Sequence, residues 1–191
     1  MRFAGQAAHA GTTPMDGRRD ATLAAAETAL AIESIAREHG GVGTTGALDL
    51  EPGILTAVAG GAALGFDLRN ADAGRLAEMR VAAEDAAERA ALERDCPVAI
   101  EPIWRIAPVP FEPGLVASAA EACAAAGGRA ETLTSGALHD AAEMASVAPT
   151  AMVFTSTRDG ISHAREEDTD EADLRAGIEA FGTLAGRALD R

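Results

Sequence analysis

Residues 42–69 read VGTTGALDLEPGILTAVAGGAALGFDLR. Apolar and small residues run as strands over 42–50 and 54–69. Pro52-Gly53 makes the turn between them, and Gly60-Gly61 makes another, since Gly and Pro are the strongest punctuators of local structure. The segments on either side then decide the fold.

Upstream, Met1 to Ala8 reads as a strand end, and 9–17 (HAGTTPMDG) is a turn-rich loop. Arg18 to Glu38 has a helical period, with Leu23, Ala26, Leu30 and Ile35 near one face, and Gly40-Gly41 stops it. Downstream, Asp72 can cap a second helix running to about Arg94, where Leu76, Met79, Ala83 and Ala87 recur at helical spacing. Residues 97–106 (PVAIEPIWRI) alternate like a strand. The order β-α-β-β-α-β is the split pattern of a ferredoxin-like sandwich.

Pro108, Pro110 and Pro113 then mark a domain boundary, dividing the chain into 1–108 and 109–191. The second part predicts a small-residue helix over 114–126 and a strand near 129–133. A short helix from Asp140 to Ser146 follows, then a buried strand over 149–154 (PTAMVF), which is a continuous apolar run of the kind found in parallel sheets. A last helix spans about 170–190, with Leu174, Ile178, Phe181, Ala185 and Leu189 on one face. That is half of a layered α/β domain, with too few strands for a sheet covered on both sides.

The chain has 191 residues, a formal net charge of −14, and Arg as its only basic residue type apart from histidine. Such a balance argues against a nucleic-acid partner, which needs a basic patch to displace condensed counterions. Hydrophobic residues make up 48 % and aromatics 3 %, so the core is built from small side chains. No stretch approaches the roughly 20 apolar residues of a membrane span. Residues 1–15 lack the apolar run of a signal peptide. Cys96 and Cys123 form no CxxC pattern and read as free thiols. The expectation is a cytoplasmic protein.

Four histidines carry the chemical interest. His39 ends a helix, where a cation complements the dipole. His163, in DGISH beyond the 149–154 run, is placed to bind a metal ion, with Glu167 or Asp168 orienting its ring. His139 follows Ser135 and Gly136 in a turn able to hold a carboxylate or an oxyanion; a turn capped by Asp140 or Ser135 is the alternative. His9 lies in a loop after a strand and is either solvated or functional. Arg69 can take a substrate carboxylate in a bidentate grip or pair with Asp67 or Asp72 on the surface. Only His163 stands as a plausible metal ligand, and zinc or manganese catalysis needs three or more for each ion.

Taken together, GQAAHAGTTPM (5–15), RRDATLAAAE (18–27), LGFDLRN (64–70), VPF (109–111), LTSGALHDAAEMASVAPTAMVF (133–154) and RDGISHAREEDT (158–169) carry a family likeness. They resemble the N-carbamoyl-L-amino-acid hydrolase and allantoate amidohydrolase family (β-ureidopropionase type). That family is a branch of the aminoacylase and carboxypeptidase G dimetal hydrolases. The resemblance implies a lid, or dimerisation, domain over 1–108 whose first strand is truncated, and the C-terminal portion of a layered α/β/α catalytic domain over 109–191. It implies a homodimer joined through the lids and a divalent cofactor, either zinc, manganese or cobalt. His163 would be a metal ligand. His9 would reach in from the lid of the opposite subunit to polarise the scissile carbonyl. Arg69 would hold the carboxylate of a small anionic substrate, with Gln6 beside His9. Ser135, Gly136 and His139 would line the pocket, and Thr56 stands where the family tends to have a substrate-binding Asn. Leu138 replaces a usual Gly and Arg165 a common Pro. The family's His-x-Asp motif, bridging Asp, Glu pair and further His have no counterpart in this sequence. The chain alone is therefore expected to lack the general base and most metal ligands.

Overall fold

The computed structural model describes residues 1–190. The chain divides into two compact units, Met1–Pro108 and Val109–Arg191. Both mix helices with extended backbone, and the strands form small antiparallel sheets confined to the first unit.

The first unit runs β1 (Arg2–Ala4), β2 (Ala8–His9), α1 (Ala21–Glu38), β3 (Val42–Glu51), β4 (Ala57–Val58), β5 (Gly61–Arg69), α2 (Ala73–Glu93) and β6 (Val98–Ala99). Four strands pair in the order β3-β5-β1-β6, all antiparallel. The β3–β5 ladder runs from Val42 opposite Arg69 to Glu51 opposite Gly61, with a bulge between Thr45 and Ala47. A separate ribbon pairs β2 with β4, placing His9 opposite Ala57. The expected strand over 54–69 is therefore split where Gly60-Gly61 predicts a turn, and Ile54 and Leu55 stand out in solvent. The strand expected over 97–106 is also cut short, to Val98–Ala99. Its ladder partner β1 is three residues long, so backbone pairing ends with it.

Both helices start at aspartates. The Asp20 carboxylate accepts from the Thr22 amide at 2.9 Å, and Asp72 accepts from the Arg75 amide at 2.9 Å. These bonds satisfy orphan donors of the first turn. The Arg75 and Gly74 amides also hold the Asp72 carboxyl below the usual carboxylate range.

The buried face of α1 is Ala21, Ala24, Ala25, Thr28, Ile32, Ile35 and Ala36. That differs from the expected stripe, since Leu23 and Leu30 are exposed. Small residues win the inner face because the helix lies hard against the sheet. A Cβ on Gly43 would sit 2.9 Å from the Ala36 Cβ and from the Ile32 carbonyl oxygen. On α2, Met79, Ala83 and Ala87 are buried as their spacing predicts. With Phe3, Leu64 and Cys96 they complete a single core. Burial pushes the Cys96 thiol pKa up.

The second unit contains α3 (Pro113–Ala125), α4 (Asp140–Met144) and α5 (Glu171–Leu189). Pro113 opens α3 where its missing N–H costs nothing, and the Glu112 carboxylate accepts from the Gly114 and Leu115 amides at 3.0 and 2.6 Å. Ala119 and Ala122 of α3 pack on Ala180 and Leu184 of α5. Arg187 ties the pair by reaching the Ser118 carbonyl and the Glu121 carboxylate.

Two expectations fail in this unit. Among its described residues there is no strand, at 129–133 or at 149–154. Both segments lack a neighbouring strand to complete a ladder; the Thr150 carbonyl instead accepts from the Glu112 amide at 3.1 Å. The inner face of α5 is Ala180 and Leu184, whereas Leu174, Ile178, Phe181 and Leu189 are exposed.

Candidate functional site

His9 closes β2, and its loop is fastened from several sides. The Ala10 amide donates to the Thr56 carbonyl at 2.9 Å and the Thr13 amide to the His9 carbonyl at 3.1 Å. Arg18 reaches under the loop, its Nη2 donating to the Ala10 carbonyl at 2.6 Å and its Nε to the Thr13 carbonyl at 3.2 Å. The Gly11 amide donates to His9 Nδ1 at 3.0 Å. Thr56 thus lies beside the His9 loop, joined to it through its backbone carbonyl. The Gln6 amide is held nearby in the chain, donating to the Arg19 carbonyl at 2.8 Å. The part played by Arg18 was not legible in sequence, since no spacing rule links an Arg to the carbonyls of a preceding loop.

Arg69 is set apart from this group. It ends β5, whereas the β2–β4 ribbon leads into the Gly61 end of the same strand. A nine-residue strand separates its ends by roughly 25 Å at about 3.3 Å per residue. Within one chain, His9 and Arg69 do not share a pocket. Arg69 Nε donates to Asp67 Oδ1 at 2.5 Å, the surface pairing that the sequence left open. Alternate residues of a strand share a face, which brings these two side chains together.

In the second unit, Ser135 and His139 meet directly. His139 Nε2 lies 2.9 Å from Ser135 Oγ, which also accepts from the Ala137 amide at 3.1 Å. Gly136 lies between them in the same turn. The ring of Phe154 stands edge-on to His139 at 5.9 Å between centroids. The capping alternative does not describe this turn. His139 itself is the N-cap of α4, and no side chain caps that helix. No sequence signal pairs Phe154 with His139, since the apolar run 149–154 predicts a buried strand.

His163 lies on the exposed loop between Arg158 and Asp170, at a positive φ of 57°. Glu167 does hold it, but through the backbone: the His163 amide donates to the Glu167 carboxylate at 2.8 Å. Asp168 is taken by Arg158 at 3.1 Å, and Asp170 by the same guanidinium at 2.5 Å. The bonds the structure gives these two carboxylates go to groups other than the His163 ring. Asp168 and Arg158 close the loop at its base, where the Arg158 amide also donates to the Asp168 carbonyl. The hydrogen bond to Asp170, then the charges of both aspartates, raise the Arg158 pKa above its ordinary value.

The donor set does not make a metal centre by itself. Among the described residues no three His, Cys, Asp or Glu side chains lie together as a metal site would need. His163 offers one nitrogen, and no step can be routed through an ion that one ligand would have to hold. No helix among the described residues is long and apolar enough to cross a membrane.

Comparison with known proteins makes the class definite. The profile of Peptidase family M20/M25/M40 matches residues 6–187, and the chain belongs to that family. The N-carbamoyl-L-amino acid amidohydrolase of Geobacillus stearothermophilus is 36 % identical over 180 residues, covering 94 % of this chain and 44 % of the relative. The allantoate amidohydrolase of Escherichia coli K12 is 31 % identical over 182 residues, again 94 % and 44 %. A crystal structure of a hydantoinase/carbamoylase family amidase from Burkholderia vietnamiensis superposes with a TM-score of 0.91 at 36 % identity, over 98 % of this chain and 46 % of that one. The chain spans less than half the length of these relatives.

Proposed function

We propose that this chain is the C-terminal part of a metal-dependent hydrolase that cleaves linear amide or ureido C–N bonds in N-carbamoyl-L-amino acids or allantoate. The observation that carries the reading is the continuous likeness to N-carbamoyl and allantoate amidohydrolases across both units. The β-α-β-β-α-β order and the sheet order β3-β5-β1-β6 support a ferredoxin-like lid over 1–108. Residues 109–191 would then be the C-terminal portion of the catalytic domain.

In this reading His163 is a ligand to zinc, manganese or cobalt. Bound metal supplies a water acidic enough to act as hydroxide near neutral pH. Arg69 holds the substrate carboxylate, while Ser135, Gly136 and His139 line the pocket with Gln6 and Thr56. His9 polarises the scissile carbonyl from the lid of a second subunit. The separation of His9 from Arg69 within one chain supports that homodimer, because the two can serve one substrate only if different chains supply them. The chain alone is then expected to be inactive, since the described residues hold no ligand cluster of the kind such hydrolysis needs. A second reading, a dimerising or carboxylate-binding module without turnover (or a vestigial fragment), is favoured by that same lack of a cluster.

A chimera tests the choice. The present 191 residues would replace the matching part of the Geobacillus enzyme. Expected with zinc or manganese is ammonia release from N-carbamoyl amino acids or allantoate, with kcat lowered about 10²–10³-fold by His9→Ala, the loss typical of one oxyanion donor. Arg69→Ala should instead act mainly on KM. A folded, metal-loaded chimera that cleaves only dipeptides or acyl-amino acids would move the assignment to a metallopeptidase or acylase. One that binds carboxylates without turnover would favour the module.

A further inference from the structure

We propose that Gly11 is a positioning residue for His9: its backbone N–H fixes the imidazole proton on Nε2, so that His9 meets its substrate as a hydrogen-bond donor and not as a base. The Gly11 amide donates to His9 Nδ1 at 3.0 Å. A backbone amide has a proton to give and no lone pair to offer. Nδ1 must therefore accept, and the ring proton sits on Nε2. His9 is exposed, and among the described residues no group of the chain bonds Nε2. The nitrogen left facing outward is the one that can donate to an oxygen.

The loop is built to keep that amide aimed. Arg18 holds the carbonyls of Ala10 and Thr13, on either side of Gly11, and the Ala10 amide is anchored on Thr56. The position also excludes a side chain. A Cβ on residue 11 would lie 3.3 Å from His9 Cε1 and 3.6 Å from Nδ1, pressing on the ring that the amide orients. Glycine lets the N–H approach without that pressure.

The ligand class follows. A fixed Nε2–H suits a carbonyl oxygen that gains negative charge as a nucleophile adds, and a donor placed in advance needs no reorganisation as that charge develops. That the oxygen belongs to a ureido or amide carbonyl rests on the amidohydrolase reading above; the tautomer does not.

The test reads the ring itself in the full chain labelled with ¹⁵N. Expected are an unprotonated Nδ1 and a protonated Nε2 for His9, with a scalar coupling between Nδ1 and the Gly11 amide nitrogen across the hydrogen bond. Gly11→Pro, which deletes the N–H, should abolish the coupling and let both tautomers appear. Gly11→Ala keeps the N–H, so it should retain the coupling even if weakened. A proton on Nδ1 in the unaltered chain overturns the proposal without any variant, and so does a tautomer ratio unmoved by Gly11→Pro. Spectra need no turnover, so the two readings fail separately. An Nε2–H His9 in an inactive chimera sinks only the amidohydrolase reading, and an Nδ1–H His9 in an active chimera sinks only this one.

Discussion

The two units draw on similar residues and reach different degrees of closure. In the first, two helices cover one face of a four-stranded sheet, and a core from Phe3 to Cys96 closes with Ala21, Ala25, Ala83 and Ala87 fully buried. In the second, α3 and α5 share a core of Ala119, Ala122, Ala180 and Leu184. Phe181 and Ile178 stand 63 % and 64 % exposed on the same helix that buries Ala180. Alanine-rich helices bury well only when something broad and flat lies within reach, because a methyl group contributes little area and relies on close approach. The sheet gives α1 and α2 such a surface. Among the described residues of its own unit, α5 lies on the single helix α3 and on the narrow extended segment around Val153 and Thr155, with no sheet beneath it.

The contrast can be broken in order of expected effect. Ile32, 1 % exposed under α1, should cost about 2–5 kcal/mol when cut to Ala, the range for large-to-small changes in a closed core. Urea unfolding of the chain checks it; a cost below about 1 kcal/mol would mean that the first core is looser than its packing implies. Asp20→Ala removes the carboxylate that caps α1 and should cost about 1 kcal/mol, with Asp20→Asn recovering most of the loss because Asn caps nearly as well. Phe181→Ser should change stability by no more than about 0.5 kcal/mol, as for other exposed positions. A loss approaching that of Ile32→Ala would show that the outer face of α5 is covered and would erase the difference between the units.

Much of the first unit was legible because its signals are local. Asp72, helical spacing through Met79, Ala83 and Ala87, and paired glycines each act within a few residues of themselves. The inner face of α1 was misread, since hydrophobic ranking favours Leu23 and Leu30 whereas close approach at Gly43 favours alanine. The run 149–154 misled for another reason. An apolar stretch of strand length states a tendency, and a strand exists only when a second backbone completes its hydrogen bonds.

The site divides in the same way. His9, Ser135, His139 and His163 could be singled out as residue types in turn-rich loops, because polar groups flanked by Gly and Ser announce themselves in sequence. Their partners could not. That Arg18 holds the His9 loop, that Phe154 meets His139, and that Glu167 holds the His163 amide while Arg158 takes Asp168 are matters of where the chain returns in space. By itself the sequence determined the helices of both units, the turns around 52 and 60, and the family, since each is written in short-range pattern. Tertiary structure alone decided which face of α1 and of α5 is buried, that the ribbon carrying His9 leads into the end of β5 opposite Arg69, and which nitrogen of His9 keeps its proton. Those outcomes depend on contacts between residues distant in sequence or on the aim of a single N–H, and no local periodicity encodes either.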